Sequence, residues 1–229
     1  MTLEELVDPR TAALVVVDMQ NDFCHPDGAE AARGADVRLA APMTQRLKAL
    51  LTEARASCIR TIFIRTHHSP WTNSDVWLGR GGGRHASSRV PLCLPGTWGS
   101  DFYDGLEPRT SADCSPETSD FVITKHRYSG FVGTDLELVL RSQGLKTLIM
   151  TGTASNGCVE ATARDGFHRD HAIVYVSDCS VASTEARHEE CLQRVRSWAT
   201  VVGADELVHA WRSVAARSNA GRVPVALGD

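Results

Sequence analysis

The chain is predicted to adopt a three-layer α/β fold, in which helices cover both faces of a doubly wound, six-stranded parallel sheet. Short, continuously apolar runs alternate with segments of helical periodicity, which is typical of strands buried on both faces. The common strand order for six such strands is 3-2-1-4-5-6, and we expect that order here. Because the 229 residues contain no repeat and no low-complexity linker, we expect one domain over residues 1–229.

The first half of the chain is predicted to supply three strands and one long helix. ALVVVD at 13–18 is the first strand, CIRTIFIRT at 58–66 the second and FVITK at 121–125 the third. Between the first two, residues 37–56 carry apolar side chains at helical spacing. The stretch 67–120 has little periodicity, and a segment of this length in a compact domain is usually functional or contains short elements that the pattern does not reveal.

The second half alternates helices and strands at short intervals. Three apolar runs are predicted strands, at 146–152, 172–178 and 200–203. Helical periodicity predicts helices at 134–144, 157–168, 183–199 and 205–217. Gly144 is a suitable residue to end the first of these helices, and Ser183 or Thr184 can cap the third.

Composition and charge argue against several classes of protein. A net charge of −4 provides no basic surface for nucleic acid or an anionic membrane. The first apolar run is roughly six residues long and follows no basic segment, so we expect no signal peptide, no membrane span and a cytoplasmic location. The 7 cysteines are scattered without a C-x-x-C pair, which argues against a disulfide framework and a zinc knuckle.

Three reactive side chains are predicted to meet at one edge of the sheet. Asp18 ends the first strand, Lys125 ends the third and Cys158 lies just beyond the fourth. If the three side chains lie close together, Asp18 could accept the proton of the Cys158 thiol, and Lys125 would stabilise charge and lower the pKa of that thiol. Taken singly, each has an ordinary structural interpretation, as a turn-capping aspartate, a solvated lysine or a buried thiol.

The segment around Cys158 suggests how a thiol there could react. Ser155 or Asn156 can cap a helix that begins near Gly157, and the positive end of that helix would favour a thiolate. The N–H groups of the turn and the first helical residues lack intrahelical partners, so they could hold an oxyanion.

Three segments resemble the isochorismatase-like cysteine hydrolases. They are DMQNDF at 18–23, the ITK…SGF segment at 123–131 and GTASNGCVEATARDGF at 152–167. The superfamily includes nicotinamidase, N-carbamoylsarcosine amidohydrolase, ureidoacrylate amidohydrolase and biuret hydrolase. The resemblance spans about residues 11–203 and is weakest in 67–120. KHRYSGF at 125–131 and the helix after Cys158 are most similar to ureidoacrylate amidohydrolase.

This resemblance implies a catalytic triad of Asp18, Lys125 and Cys158. It also implies an oxyanion hole formed by the N–H groups of Ala154 and Cys158, with a cis peptide bond between Thr153 and Ala154. Because isochorismatase proper lacks the cysteine, Cys158 favours an amidohydrolase. The implied reaction is hydrolysis of a C–N bond in a small ureido, carbamoyl or amide compound through a thioester, releasing ammonia or carbamate without a cofactor.

Expected substrate contacts lie in the motifs and in RTHHSPWTNSDVW at 65–77, where the chain departs from ureidoacrylate amidohydrolase. The candidates are Phe23, His67, His68, Trp71, Asn73 and Tyr128. The candidates within 65–77 are chosen because long loops often carry function, and each could instead be a surface or structural residue. Arg84 could bind a substrate carboxylate, although an arginine in a glycine run is more often solvated.

No metal site is expected, although nicotinamidases carry an Asp and His cluster in this region. The adjacent His67 and His68 would point to opposite sides of an extended segment, and no Asp-x-His motif is present. GRGGGR at 79–84 neither follows a strand nor opens a helix, so a phosphate site is not expected. The expected partner is a small amide or ureido substrate, with no nucleic acid and no membrane.

Two functional alternatives stay open, namely a nicotinamidase-like or other simple amidase and a catalytically idle family member that acts as a binding subunit.

Because relatives are dimers or tetramers, we expect a homodimer or homotetramer. Trp198 and Trp211 either pack at a subunit interface or cover the sheet. Cys24 is the second cysteine expected near the mouth of the site, because it lies six residues after Asp18.

Overall fold

The computed structural model describes residues 1–80, 92–111 and 118–220. Arg84, predicted as a carboxylate contact, lies outside the described residues. No helix in the described part of the chain is long and apolar enough to cross a membrane.

The fold is built on one six-stranded parallel sheet. Its strands are β1 (Ala12–Val17), β2 (Arg60–Thr66), β3 (Phe121–Lys125), β4 (Thr147–Thr153), β5 (Ala172–Val181) and β6 (Thr200–Val202). Every neighbouring pair is parallel, in the order β3-β2-β1-β4-β5-β6. The predicted fold class and strand order are therefore confirmed. All residues of β1 are buried, as expected for a central strand covered on both faces.

Four described helices of seven or more residues lie between strands, and one long helix follows the last strand. The described helices are α1 (Leu3–Leu6), α2 (Asn21–Cys24), α3 (Ala29–Ala32), α4 (Ala40–Ala56), α5 (Asp75–Gly79), α6 (Leu136–Ser142), α7 (Glu160–Phe167), α8 (Glu185–Val195) and α9 (Ala204–Ala220). A 3₁₀ turn at Trp98–Ser100 and a π-helical turn at Ser155–Val159 complete them. The helices α4, α6, α7 and α8 between strands, and α9 after the last strand, match predicted segments, whereas the short helices are too brief to show a period of 3.6 residues.

Alternate residues of β1 enter two separate hydrophobic cores. Leu14 and Val16 pack in the core beneath α4 and α9, and Val15 and Val17 pack in the core beneath α6, α7 and α8. The molecule therefore has the predicted three layers. Trp211 is buried in the first core and covers the sheet, so the alternative that it forms a subunit interface is wrong.

Trp198 is half-buried, and its ring centre lies 5.4 Å from that of Phe167.

Cys24 is buried in the core beneath α4 and is not among the residues that line the cavity described below. The expectation that it lies at the mouth of the site is therefore wrong. The six cysteines in the described part of the chain are unpaired.

The central strands bring their carboxyl ends to a common level. Val17 pairs with Ile64 of β2 and with Gly152 of β4, and Thr66 pairs with Lys125 of β3. A Cβ atom on Gly152 would lie 2.1 Å from the Val17 carbonyl oxygen, and its φ of +106° also favours glycine. Glycine at this position thus permits the close approach of β1 and β4 beneath the site.

Candidate active site

Asp18, Lys125 and Cys158 form a cluster beyond the carboxyl ends of the strands. The Lys125 Nζ atom lies 2.6 Å from Oδ2 of Asp18 and 3.3 Å from Sγ of Cys158. The side chains of Lys125 and Asp18 are each only 1% exposed. Three segments far apart in sequence thus bring together the three side chains that the motifs select. The lysine is not a solvated strand terminus.

Thr66 is a fourth member of this cluster, and it was not singled out from the sequence. Lys125 Nζ donates to Oγ1 of Thr66 at 2.6 Å, and Thr66 Oγ1 donates to Oδ1 of Asp18 at 3.0 Å. All three N–H groups of the ammonium therefore have acceptors. The position of Thr66 at the end of β2, level with Lys125, is the sequence signal that could have identified it.

Gln20 fixes the backbone at Thr66. Its Nε2 donates to the carbonyl oxygens of Thr66 and Ser100, at 3.0 and 2.8 Å. Its Oε1 accepts from the Thr66 N–H at 2.7 Å. Gln20 lies in DMQNDF, so this motif both supplies Asp18 and positions the threonine that holds it.

Burial governs the protonation of the cluster. It raises the pKa of Cys158 to about 12, and the nearby Lys125 ammonium only partly offsets this effect. Lys125 thus lowers the pKa of the thiol, as expected, but burial outweighs this effect and leaves that pKa raised. Burial alone would lower the pKa of Lys125, but its interactions with Asp18 and Cys158 outweigh burial and raise that pKa. The resting site therefore holds an ammonium and a neutral thiol.

Cys158 lies in the π-helical turn and not in the first turn of α7. A cis peptide bond joins Thr153 to Ala154 directly before this turn, at the position that the family resemblance implies. The Ala154 N–H makes no hydrogen bond to another described residue. It is therefore available to a ligand, as the expected oxyanion hole requires.

The hydroxyl of Ser155 links this turn to His188 of α8. Ser155 Oγ lies 2.9 Å from Nδ1 of His188, and Nε2 of His188 lies 2.9 Å from the Ser177 carbonyl oxygen. Neither Ser155 nor Asn156 caps α7, whose N-cap position is Val159 and has no side-chain hydrogen bond. The predicted capping role is therefore wrong, because the π-helical turn places the start of α7 later in the chain.

A cavity of about 200 Å³ opens beside the cluster. Its lining includes Asp18, Lys125 and Cys158, together with Thr153, Ala154 and Gly157 of the turn. Of the predicted substrate contacts, Phe23, His68 and Tyr128 line the cavity. The site residues and the cavity therefore coincide.

Three predicted contacts, His67, Trp71 and Asn73, are not among the cavity-lining residues. Trp71 is 98% exposed, so it provides no apolar wall in this chain. His67 and His68 are consecutive, and only His68 reaches the cavity. The general rule that loops carry function could not distinguish between adjacent residues of one loop.

Sequence reasoning missed three prominent lining residues, Trp77, Arg80 and Arg127. Arg127 lies two residues after Lys125, within KHRYSGF, and its nearness to Lys125 in this motif is the sequence signal that could have identified it. The other two lie on and just after α5, a helix too short to be predicted from its periodicity.

No group of three or more potential metal ligands from His, Cys, Asp and Glu lies together in the described ranges. His85 lies outside them. The absence of a metal site therefore stays a prediction.

Comparisons with known proteins agree with this arrangement. The family model of the isochorismatase domain matches residues 12–206. The ureidoacrylate amidohydrolase of Methylobacterium radiotolerans is 32% identical over 217 residues, with 87% of this chain and 80% of that protein covered. The ureidoacrylate amidohydrolase of Serratia proteamaculans is 34% identical over 185 residues, with 75% of this chain and 70% of that protein covered.

Solved structures show the same fold. A cysteine hydrolase from Pseudomonas syringae pv. phaseolicola has a TM-score of 0.76 at 25% identity, covering 91% of this chain and 96% of that chain. N-carbamoylsarcosine amidase from Thermoplasma acidophilum has a TM-score of 0.64 at 29% identity, covering 85% of this chain and 97% of that chain. The domain match spans most of the chain, and the chain belongs to the isochorismatase family of hydrolases.

Proposed function

We propose that this protein is a cysteine-dependent amidohydrolase that cleaves the C–N bond of a small ureido or carbamoyl compound through a thioester. The contact of Lys125 with both Asp18 and Cys158, beside a cavity, is the observation that carries the proposal. A thiol, a base and a cation within contact distance are the parts that nucleophilic catalysis needs. The names of the relatives support the C–N bond as the target.

The first half of the reaction transfers the thiol proton to Asp18 as the sulfur attacks the substrate carbonyl carbon. Because the pKa of Cys158 is about 12, the thiol is neutral at rest and loses its proton only during attack. Lys125, 3.3 Å from Sγ, stabilises the developing thiolate. The N–H groups of Ala154 and Cys158 donate to the carbonyl oxygen as it becomes an oxyanion.

The second half returns the enzyme to its resting state. The C–N bond breaks, and Asp18 gives its proton to the leaving ammonia or amine, leaving a thioester on Cys158. Asp18 then takes a proton from a water molecule, which attacks the thioester. The C–S bond breaks, and the proton on Asp18 returns to the Cys158 sulfur, so that one carboxylate serves as base and acid in both halves.

The test is release of ammonia from a panel of small compounds, namely ureidoacrylate, biuret, N-carbamoyl amino acids, nicotinamide and maleamate. We expect a ureido or carbamoyl member to be hydrolysed. Cys158→Ala and Cys158→Ser should each lower kcat/KM on it by at least about 10³-fold, because each removes the nucleophile. Intact-mass measurement of rapidly quenched wild-type reactions should show an acyl adduct, mapped to Cys158 by peptide analysis.

Cys58→Ser is the control, because Cys58 is exposed and does not line the cavity. It should keep wild-type turnover. Near-normal turnover by Cys158→Ala would contradict the proposal, as would hydrolysis of nicotinamide alone.

A further inference from the structure

The two arginines that line the cavity, Arg80 and Arg127, have no acidic partner among the described residues. The carboxylates that line the cavity are all paired, Asp18 with Lys125 at 2.6 Å, Glu30 with Arg33 at 2.8 Å and Asp36 with Arg38 at 2.7 Å. Neither Arg80 nor Arg127 forms an ion pair within the described ranges. The side of the cavity that they line thus carries positive charge that no carboxylate of the described ranges balances.

Neutral groups hold both guanidinium groups in place. The Cζ atoms of Arg80 and Arg127 lie 3.6 and 4.9 Å from the centre of the Trp77 ring. Arg80 Nε donates to the Tyr128 hydroxyl at 2.9 Å, and its Nη1 donates to the Trp77 carbonyl oxygen. These contacts orient Arg80 without neutralising it.

Arg127 is held in the same manner. Its Nη1 donates to the carbonyl oxygens of Thr72 and His126, at 2.9 and 2.8 Å. A guanidinium has five N–H donors, so both arginines retain donors for a ligand. Two oriented guanidinium groups suit a planar anion, which accepts several parallel hydrogen bonds.

His68 also lines the cavity. The residue is 7% exposed, and its Nδ1 atom is buried without a hydrogen-bond partner. Burial, followed by the charges of Arg80, Lys125, His126 and Arg127, lowers its pKa to about 4. A neutral imidazole carries one N–H donor, so the ring can hydrogen-bond to an anion without adding charge.

We propose that Arg80, Arg127 and His68, hereafter the arginine subsite, bind a carboxylate of the substrate. The preferred substrates are then ureido or N-carbamoyl acids, and neutral ureas and amides are poor substrates. This inference rests on the proposed function, because it concerns the far end of a molecule whose carbonyl lies at Cys158. The paired state of Asp36 and Glu30 argues against the opposite specificity, for a cationic substrate.

The first experiment compares two substrates that differ mainly in charge, N-carbamoylglycine and its primary amide, N-carbamoylglycinamide. The wild type should hydrolyse the acid with at least a 30-fold higher kcat/KM. Arg80→Gln and Arg127→Gln should each lower kcat/KM for the acid by about 10- to 100-fold, chiefly through KM. Each variant should change kcat/KM for the amide by less than about threefold, since the amide makes no charged contact.

Arg141→Gln is the matched control, because Arg141 is an exposed arginine on α6 that does not line the cavity. It should leave both substrates unaffected. Equal turnover of acid and amide by the wild type would overturn the inference. An equal loss on both substrates in Arg80→Gln and Arg127→Gln would also overturn it, because that result indicates a merely structural role.

A binding measurement separates this inference from the proposed function. If the wild type releases ammonia from no compound of the panel, the proposed function fails. Calorimetry with Cys158→Ala still decides the subsite, since that variant should bind N-carbamoylglycine at least 10-fold more tightly than the amide. Adding Arg80→Gln should abolish this difference. Equal affinity for the two compounds, or binding of neither, would overturn the carboxylate subsite.

Discussion

At the scale of single residues, Asp18 and Lys125 form a buried ion pair in which each charge is stabilised by the other. Both side chains are only 1% exposed, and their charged atoms are 2.6 Å apart. A buried charge is tolerated when its partner is present and becomes strongly unfavourable when the partner is removed. The proposed catalytic pair is therefore also expected to affect stability, so loss of activity in a single variant needs a stability control.

This dependence predicts an asymmetry between single and double variants. Lys125→Met and Asp18→Asn should each lower the free energy of unfolding by about 3–5 kcal/mol, because each leaves one buried charge unpaired. The double variant should lose much less than the sum, because it leaves neither charge, yet it should be as inactive as either single variant. Urea unfolding at pH 7.5, with activity measured on the same samples, tests both statements.

The exposed ion pair between Glu137 and Arg169 is the matched control. Its partners are 48% and 35% exposed, so Glu137→Gln and Arg169→Met should each cost about 0–1 kcal/mol. Losses at Asp18 and Lys125 no larger than these would contradict the prediction.

At the residue scale, the sequence predicted which side chains meet but not their protonation. Asp18, Lys125 and Cys158 could be placed together because strand ends determine which residues reach the rim. The direction of the Cys158 pKa shift could not be predicted, because it depends on burial by segments distant in sequence. Arg80 was missed for the same reason, since it reaches the cavity only through contacts with Trp77 and Tyr128.

At the scale of elements, α8 supports the turn that carries Cys158. A carbonyl oxygen only accepts, so His188 must donate from Nε2 to Ser177, and its neutral Nδ1 then accepts from the Ser155 hydroxyl. Burial lowers the pKa of His188, which favours this neutral form. The same turn receives hydrogen bonds at the Ser155 carbonyl from Tyr175 and Cys191.

We predict that His188 and Ser155 act as one positioning unit for the Ala154 and Cys158 N–H groups. His188→Ala and Ser155→Ala should each lower kcat by about 10- to 100-fold with little change in KM, because positions of oxyanion donors matter mainly in the transition state. The double variant should be no worse than the more damaged single variant. Steady-state kinetics on the best compound of the panel measures all three.

Glu190→Ala, at an exposed position on α8, should keep wild-type kcat and serves as the control. Additive losses in the double variant, or losses confined to KM, would show that His188 does not act through the turn. Melting temperatures of all four variants distinguish a loss of positioning from a loss of fold.

Element boundaries show what local sequence could and could not supply. The helix predicted at 183–199 ends at Val195, because Trp198 and Ala199 instead pack in the core beneath α8. The π-helical turn at Ser155–Val159 was not predicted, since its backbone departs from helical geometry at Gly157 and no residue pattern marks that departure. Both differences arise from tertiary contacts that a window of neighbouring residues does not contain.

For the whole molecule, strand order was the property best predicted. Alternating strands and helices allow few arrangements, because crossovers between parallel strands are right-handed and short. The segment 67–120 was predicted least well, since it carries short elements such as α5 and the turn at Trp98–Ser100, with no period to detect. The arginine subsite draws His68 and Arg80 from this segment, which also supplies Trp77, the ring against which Arg80 packs, so substrate preference was the least accessible feature of the sequence.

The burial of thiols throughout the molecule makes stability depend on alkaline pH. Burial raises the pKa of Cys158, Cys179 and Cys191 from 9.0 to about 12, and it raises the pKa of Cys24 and Cys93 as well. Above pH 9 the unfolded chain therefore loses thiol protons that the folded chain keeps. Because the unfolded state then binds fewer protons, the free energy of unfolding must fall as pH rises from about 9 to about 12.

The titration of Lys125 likewise lowers the free energy of unfolding as pH rises. Its pKa is raised from 10.5 in the folded protein, so its stabilising effect is complete below pH 10.5 and is lost as pH rises through the folded value.

We therefore predict that the urea midpoint, measured in reducing buffer, falls progressively from pH 8.5 to pH 10.5. Cys179→Ala should be less stable than the wild type at pH 7.5 but should show a shallower fall, because one buried thiol is gone. Cys58→Ser, which removes an exposed thiol, should keep the wild-type pH dependence, whereas a midpoint that stays constant up to pH 10.5 would contradict the argument from burial.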